Sequence, residues 1–232
     1  MIVWLASFPG SGSQFVRQQL REIYDVGTQH LDPRIELRDV PDAIRSMGLD
    51  LSATNLSTKR SPLFIETHEL STDDLPAIYI VRDGREALSS FARFIVEEEI
   101  HSAPSHSEHA YLNTLRRVIY YNDRFGGWSH HVASWIHRRA RTAVIHYEQF
   151  TKAPVQILSD AINKLEIELT PVNRSRRMTQ ESAPSSTTND RHGVLQYFEK
   201  NLPPQLESLF WKYHGRMMNE MGYKPFISQR AA

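Results

Sequence analysis

Four short, largely apolar runs punctuate the chain: Ile2–Ser7, Leu63–Thr67, Ala77–Arg82 and Thr142–Tyr147. Each is partly β-branched, and none shows sustained alternation of polar and apolar residues. A strand with one wet face alternates; a strand buried on both faces does not, and such strands belong to parallel sheets covered by helices. Helical spacing fills the intervals. Gln14–Tyr24 follows the first run directly. Ala87, Leu88, Phe91, Phe94 and Ile95 form one stripe, and Val155, Leu158, Ala161, Ile162 and Leu165 form another behind Pro154, which suits a first helical turn. A last stripe of Leu206, Leu209, Phe210, Tyr213, Met217 and Met221 starts after Pro203-Pro204 and stops at Gly222. Its Met and aromatic residues read as core. Three polar stretches read as loops: Asp25–Asp39, Glu97–Ala110 and Thr179–Gly193.

This order predicts the α/β class: a three-layer sandwich with a central parallel sheet and a P-loop-like turn after the first strand. A chain of 232 residues fits a single domain over positions 1–232.

Composition narrows the function classes. Formal net charge is zero, so no broad nucleic-acid footprint is expected. Cysteine is absent, which excludes a thiolate nucleophile and a disulfide scaffold, and fits a reducing cytoplasm. No secretory signal and no membrane span is expected, because the apolar start runs straight into a Pro-Gly turn. His101, His106, His109, His130, His131 and His137 match no tight zinc spacing, so no metal is expected. Arg174, Arg176 and Arg177 read as a solvated face.

Candidate chemistry lies in two segments. Ser7-Phe8-Pro9-Gly10-Ser11-Gly12-Ser13 joins a strand to a helix. Glycines there let backbone N–H groups approach an anion, and the helix dipole favours it. An ordinary strand-to-helix turn would use the same residues. No lysine follows Gly12, so the segment is not a Walker-type loop. The second segment, Ile78-Tyr79-Ile80-Val81-Arg82, ends a strand on a cation, with Ser89 and Ser90 following in a helix. Carboxyl ends of parallel strands line the ligand crevice, so Arg82 is either an anion ligand on the edge that carries the first turn or a surface ion pair with Asp83 or Glu86.

The pairing, order and spacing of these segments resemble the cytosolic-type sulfotransferase family. Phe8-Pro9-Gly10-Ser11-Gly12-Ser13-Gln14-Phe15 is similar to its first signature, and Arg82 with Ser90 eight positions on is similar to its second. Between them, Glu66-Thr67-His68 resembles the family's Lys-Thr-His. Trp128 and Trp135, the pair Tyr147-Glu148, the group Arg191-His192-Gly193 and the closing Gly222-Tyr223 continue the likeness over nearly the whole chain.

The resemblance implies 3′-phosphoadenosine 5′-phosphosulfate (PAPS) as cosubstrate, 3′-phosphoadenosine 5′-phosphate (PAP) as product, and a small-molecule or glycan acceptor. It implies that Gly10, Ser11, Gly12, Ser13 and Gln14 hold the 5′-phosphosulfate, and that Arg82, Ser90 and Arg191, with His192 and Gly193, hold the 3′-phosphate. Tyr147 would lie near the adenine. His68 would be the general base; outside the resemblance it reads as an ordinary partly buried histidine. On an extended strand Glu66 and His68 share a face, so Glu66 assists His68 or replaces it.

Two departures stand out. The family carries Lys or Arg where this chain has Gly10, and commonly Lys where it has Glu66. Arg17, Lys59 and Arg60 are the candidate replacements for the missing charge. Two rivals follow: a nucleotide-binding member without transfer activity, and a phosphotransferase with a variant phosphate turn. Acceptor identity and oligomeric state stay open.

Overall fold

The computed structural model describes residues 1–30, 62–100, 108–120, 125–172 and 202–225. Five parallel strands form the sheet: β1 (Ile2–Ser7), β2 (Thr28–His30), β3 (Leu63–Thr67), β4 (Ala77–Val81) and β5 (Thr142–His146), in spatial order β2-β3-β1-β4-β5. The register sets Ala6 opposite Thr67 and Tyr79, and Val81 opposite His146. Strand β1 is central, with its neighbours ending beside it.

The helices are α1 (Ser13–Tyr24), α2 (Gly84–Ile100), α3 (Glu108–Tyr120), α4 (Trp128–Ile136), α5 (Tyr147–Phe150), α6 (Pro154–Lys164) and α7 (Pro204–Glu220). Side chains alternate across each strand, so the sheet separates two apolar clusters. Trp4, Ala6, Tyr79 and Val81 meet α2, α3, α4 and α7 on one face. Val3, Leu5, Ile78 and Ile80 meet α1, α5 and α6 on the other. This is the three-layer arrangement expected from the apolar runs.

Differences from the pattern lie at edges. Strands β4 and β5 each stop one residue before Arg82 and Tyr147, which leaves both side chains at strand ends. The stretch read as a loop from Asp25 contains β2, a three-residue edge strand too short to leave a pattern. Of the loop read over Glu97–Ala110, α2 claims the start and α3 the end. Tyr111, Leu115, Val118 and Ile119 give α3 a regular apolar stripe. Residues 31–39, 101–107 and 179–193, expected to be loops, lie outside the described residues.

Two buried histidines brace α4. His131 Nε2–H donates to the His68 carbonyl (2.9 Å), so its Nδ1 accepts from Tyr79 O–H (2.9 Å). His214 Nε2–H donates to the Ile119 carbonyl (2.8 Å), and its Nδ1 accepts from Ser129 O–H (2.8 Å). Among the described residues no cluster of three His, Cys, Asp or Glu side chains is arranged to hold a metal. Burial pushes the His131 imidazole down to about 3 and that of His214 to about 4.

In the unfolded chain both histidines titrate near about 6.5, so between these limits the unfolded state binds more protons than the folded one. Stability is therefore complete above pH about 6.5 and declines as the solution is acidified toward about 4, by roughly 1–3 kcal/mol per pH unit for the two groups together. Thermal melts from pH 7 to 4.5 should show that decline, with a shallower slope in His214→Asn. A flat profile would remove these histidines from the acid response.

Candidate active site

The carboxyl ends of β1, β3, β4 and β5 converge on one crevice, where a central strand is flanked by neighbours on both sides. A cleft of about 690 Å³ opens there. From the first turn it is lined by Gly10, Gly12, Ser13 and Gln14; from the end of β3, by Glu66 and His68; from β4 and α2, by Arg82 and Ser90. Thus the two motif-bearing segments face the same space.

The turn after β1 takes its shape from two left-handed glycines. Gly10 has φ +81°, and a Cβ there would lie 2.5 Å from the Ala87 carbonyl oxygen. Gly12 has φ +90°, and a Cβ there would enter the Tyr147 ring. Beneath the turn, Ser11 is 1% exposed. Its hydroxyl is buried with no hydrogen-bond partner among the described residues. Such an unpaired group is costly, and an anion accepting from it would relieve the cost. The turn thus fits a phosphate or sulfate oxygen.

Arg82 ties the second segment to the first. Its Nη1 donates to the Gly10 carbonyl (3.0 Å), Nε and Nη2 donate to Glu86 Oε2 (3.1 and 2.8 Å), and the guanidinium lies 4.9 Å from the Tyr147 ring centroid. The Glu86 ion pair considered from sequence is therefore present, while Asp83 pairs with Arg85 instead. Both fit a side chain that still lines the cleft. Tyr147 lies behind the wall, between Gly12 and Arg82.

His68 is held in a defined tautomer. Its Nδ1–H donates to the Ser7 carbonyl (2.7 Å), with Ser7 Oγ also near (3.3 Å). A carbonyl only accepts, so the neutral ring keeps its lone pair on Nε2. The backbone is fixed as well: His131 holds the carbonyl of His68, and Trp135 Nε1–H that of Glu69 (3.0 Å). Tyr79 completes the brace, its phenol accepting the Phe8 amide as well as donating to His131. Burial raises the Tyr79 phenol well above its ordinary range, so it stays protonated.

Glu66, 5% exposed, receives Arg17 Nη1 at 2.6 Å. Phe91, Phe94 and Phe125 supply an apolar wall, and Phe125 meets the His68 ring edge-on, with centroids 6.4 Å apart. The sequence pattern marks Phe91 and Phe94 only as part of a helix stripe, places Tyr79 in the second candidate segment without a role of its own, and gives Phe125 and His131 no part in the site. In the structure Phe94 is 57% exposed, unlike its buried stripe neighbours Ala87, Leu88 and Phe91. Arg191, His192 and Gly193, with Lys59 and Arg60, lie outside the described residues.

A family model described as "Sulfotransferase domain" matches residues 2–200. Among solved structures, mouse sulfotransferase SULT7A1 complexed with PAP is 22% identical with TM-score 0.57, over 95% of this chain and 87% of that one. The sulfotransferase from Alicyclobacillus acidocaldarius is 14% identical with TM-score 0.50, over 98% of both chains. A sulfotransferase domain from the curacin biosynthetic pathway is 15% identical with TM-score 0.50, over 96% of this chain and 98% of that one. At these identities the solved structures speak to the fold, which agrees, while the family match extends from β1 past α6; the chain belongs to the sulfotransferase family.

Proposed function

We propose that the chain transfers a sulfuryl group from PAPS to a hydroxyl, or an amine, of a small-molecule or glycan acceptor. One observation carries this reading: the glycine turn (Gly10, Gly12 and Ser13), the Arg82–Ser90 pair, and His68 with its Nδ1 bonded to the Ser7 carbonyl line one cleft, with the buried unpaired Ser11 hydroxyl beneath the turn. A volume of about 690 Å³ suits a ligand of nucleotide size. PAP bound to the mouse structure favours a 3′-phosphorylated adenine nucleotide here too.

In this scheme the turn and the N-terminus of α1 hold the 5′-phosphosulfate, and Arg82 and Ser90 hold the 3′-phosphate, joined by Arg191, His192 and Gly193. Tyr147 lies near the adenine. The acceptor oxygen attacks sulfur in line as the bond from sulfur to the phosphate oxygen breaks. His68 Nε2 takes the acceptor proton, and the Ser7 carbonyl, already bonded to Nδ1–H, steadies the imidazolium that forms. Glu66, which lines the same cleft and is paired with Arg17, assists the base or substitutes for it in this scheme. No metal enters this scheme.

The rival of binding without transfer draws on Gly10, which offers no side-chain cation. Incubation of the full chain with radiolabelled PAPS and a panel of phenols, alcohols, amines and oligosaccharides separates the two: labelled product is expected, and PAP binding with no product from any acceptor would favour the rival. A preference for adenosine triphosphate with Mg²⁺ over PAP would favour a phosphotransferase.

Replacing His68 by Ala should lower turnover about 10²- to 10⁴-fold while PAP affinity changes less than about threefold. Unchanged turnover in both His68→Ala and Glu66→Ala would remove each as the base. Arg82→Ala should weaken PAP roughly 10- to 100-fold and adenosine diphosphate far less, as calorimetry can measure. Equal losses for the two nucleotides would detach Arg82 from the 3′-phosphate.

A further inference from the structure

Sulfuryl transfer leaves negative charge on the phosphate oxygen at the turn after β1. Amides and a helix N-terminus supply partial charges there, but a full cation stabilises a departing oxyanion more strongly. Position 10 cannot supply it. Gly10 is left-handed, and a Cβ there would sit 2.5 Å from the Ala87 carbonyl oxygen and 3.0 Å from Ser90 Cβ. Arg82, held by Glu86, the Gly10 carbonyl and the Tyr147 ring, is already assigned to the 3′-phosphate at the other end of the donor. Among the described residues, one other guanidinium lines the cleft, that of Arg17.

Arg17 lies one turn into α1 and is anchored twice. Nε donates to Thr28 Oγ1 on β2 (2.8 Å) and Nη1 to Glu66 Oε2 on β3 (2.6 Å). Two anchors fix the plane of the fork, while Nη2 makes no hydrogen bond among the described residues. Exposure is unequal across the pair: the Arg17 side chain is 38% accessible and that of Glu66 5%. An ion pair serving only to tie α1 to β3 would give no reason for the cation to open onto the cleft. Here the carboxylate is sunk and the guanidinium faces out.

We propose that Arg17 is a catalytic cation that binds the 5′-phosphate of the donor and balances the charge on its leaving oxygen, and that Glu66 is the positioning residue holding it there. This rests on the sulfotransferase reading above. The acceptor oxygen forms its bond to sulfur and passes its proton to His68 Nε2. The bond from sulfur to the phosphate oxygen breaks, and its electron pair stays on that oxygen, opposite Arg17. Atoms and charge balance without a further reactant.

The experiment needs no acceptor. Isothermal titration of the full chain with PAP, adenosine 3′-monophosphate and adenosine diphosphate compares wild type, Arg17→Ala, Arg17→Lys and Glu66→Gln. Arg17→Ala should weaken PAP roughly 10- to 100-fold, the value of a hydrogen-bonded charge, and adenosine 3′-monophosphate less than about threefold. Arg17→Lys should recover part of the loss, and Glu66→Gln should show a smaller loss of the same selectivity. Arg17→Ala binding PAP as wild type does, or losing both 3′-phosphorylated ligands equally, would overturn the assignment of Arg17 alone. Wild type preferring adenosine diphosphate to PAP would overturn the donor reading, and this inference with it.

Discussion

The hydrogen bond from Arg82 Nη1 to the Gly10 carbonyl, 3.0 Å long, is the join on which the site depends. It connects the turn after β1 to the end of β4, and it needs both glycines. Gly10 turns its carbonyl to Arg82 in a left-handed conformation that brings the turn against α2. Gly12 leaves room for the Tyr147 ring, on which Arg82 lies. Three strand ends are thereby drawn into one wall. The parallel sheet supplies the common edge; the missing Cβ atoms let the segments close to contact distance.

Behind that wall the support is apolar and neutral. Tyr79 and His131, both buried, link the Phe8 amide of the glycine turn to the backbone of His68 without any charge. A charged brace in this position would need its own partner and would compete with the ligand for counter-charge. A neutral imidazole avoids that cost, and its depressed proton affinity follows from the same burial. The charged groups are left at the cleft, where an anion can reach them.

Much of the frame could be read from the chain, and the reasons are local. Apolar runs such as Ala77–Val81 admit few readings other than a buried strand, and Pro154 and Gly222 mark helix ends by their own backbone limits. Strand ends then placed Arg82, His68 and the glycine turn on a common edge. Less local features left no trace. Strand β2 is defined by its pairing with β3, not by its three residues. The partner of His68 Nδ1 is a carbonyl 61 positions earlier, which no spacing rule encodes. Arg17 and Glu66 stand 49 positions apart and meet only because β3 lies beside β1, within reach of α1. The sequence could nominate Arg17 and Glu66 separately; it could not show that the two pair.

The division of the interior by the sheet has a mechanical consequence. Ser90 rises from α2 in one layer, whereas Ser13 and Arg17 belong to α1 in the opposite layer, and among the described residues the strands lie between the two apolar clusters. Any molecule gripped by both sets is a non-covalent staple across the top of the sandwich. Peeling either layer from the sheet would then require releasing it, so occupancy would tie the opening of one layer to that of the other.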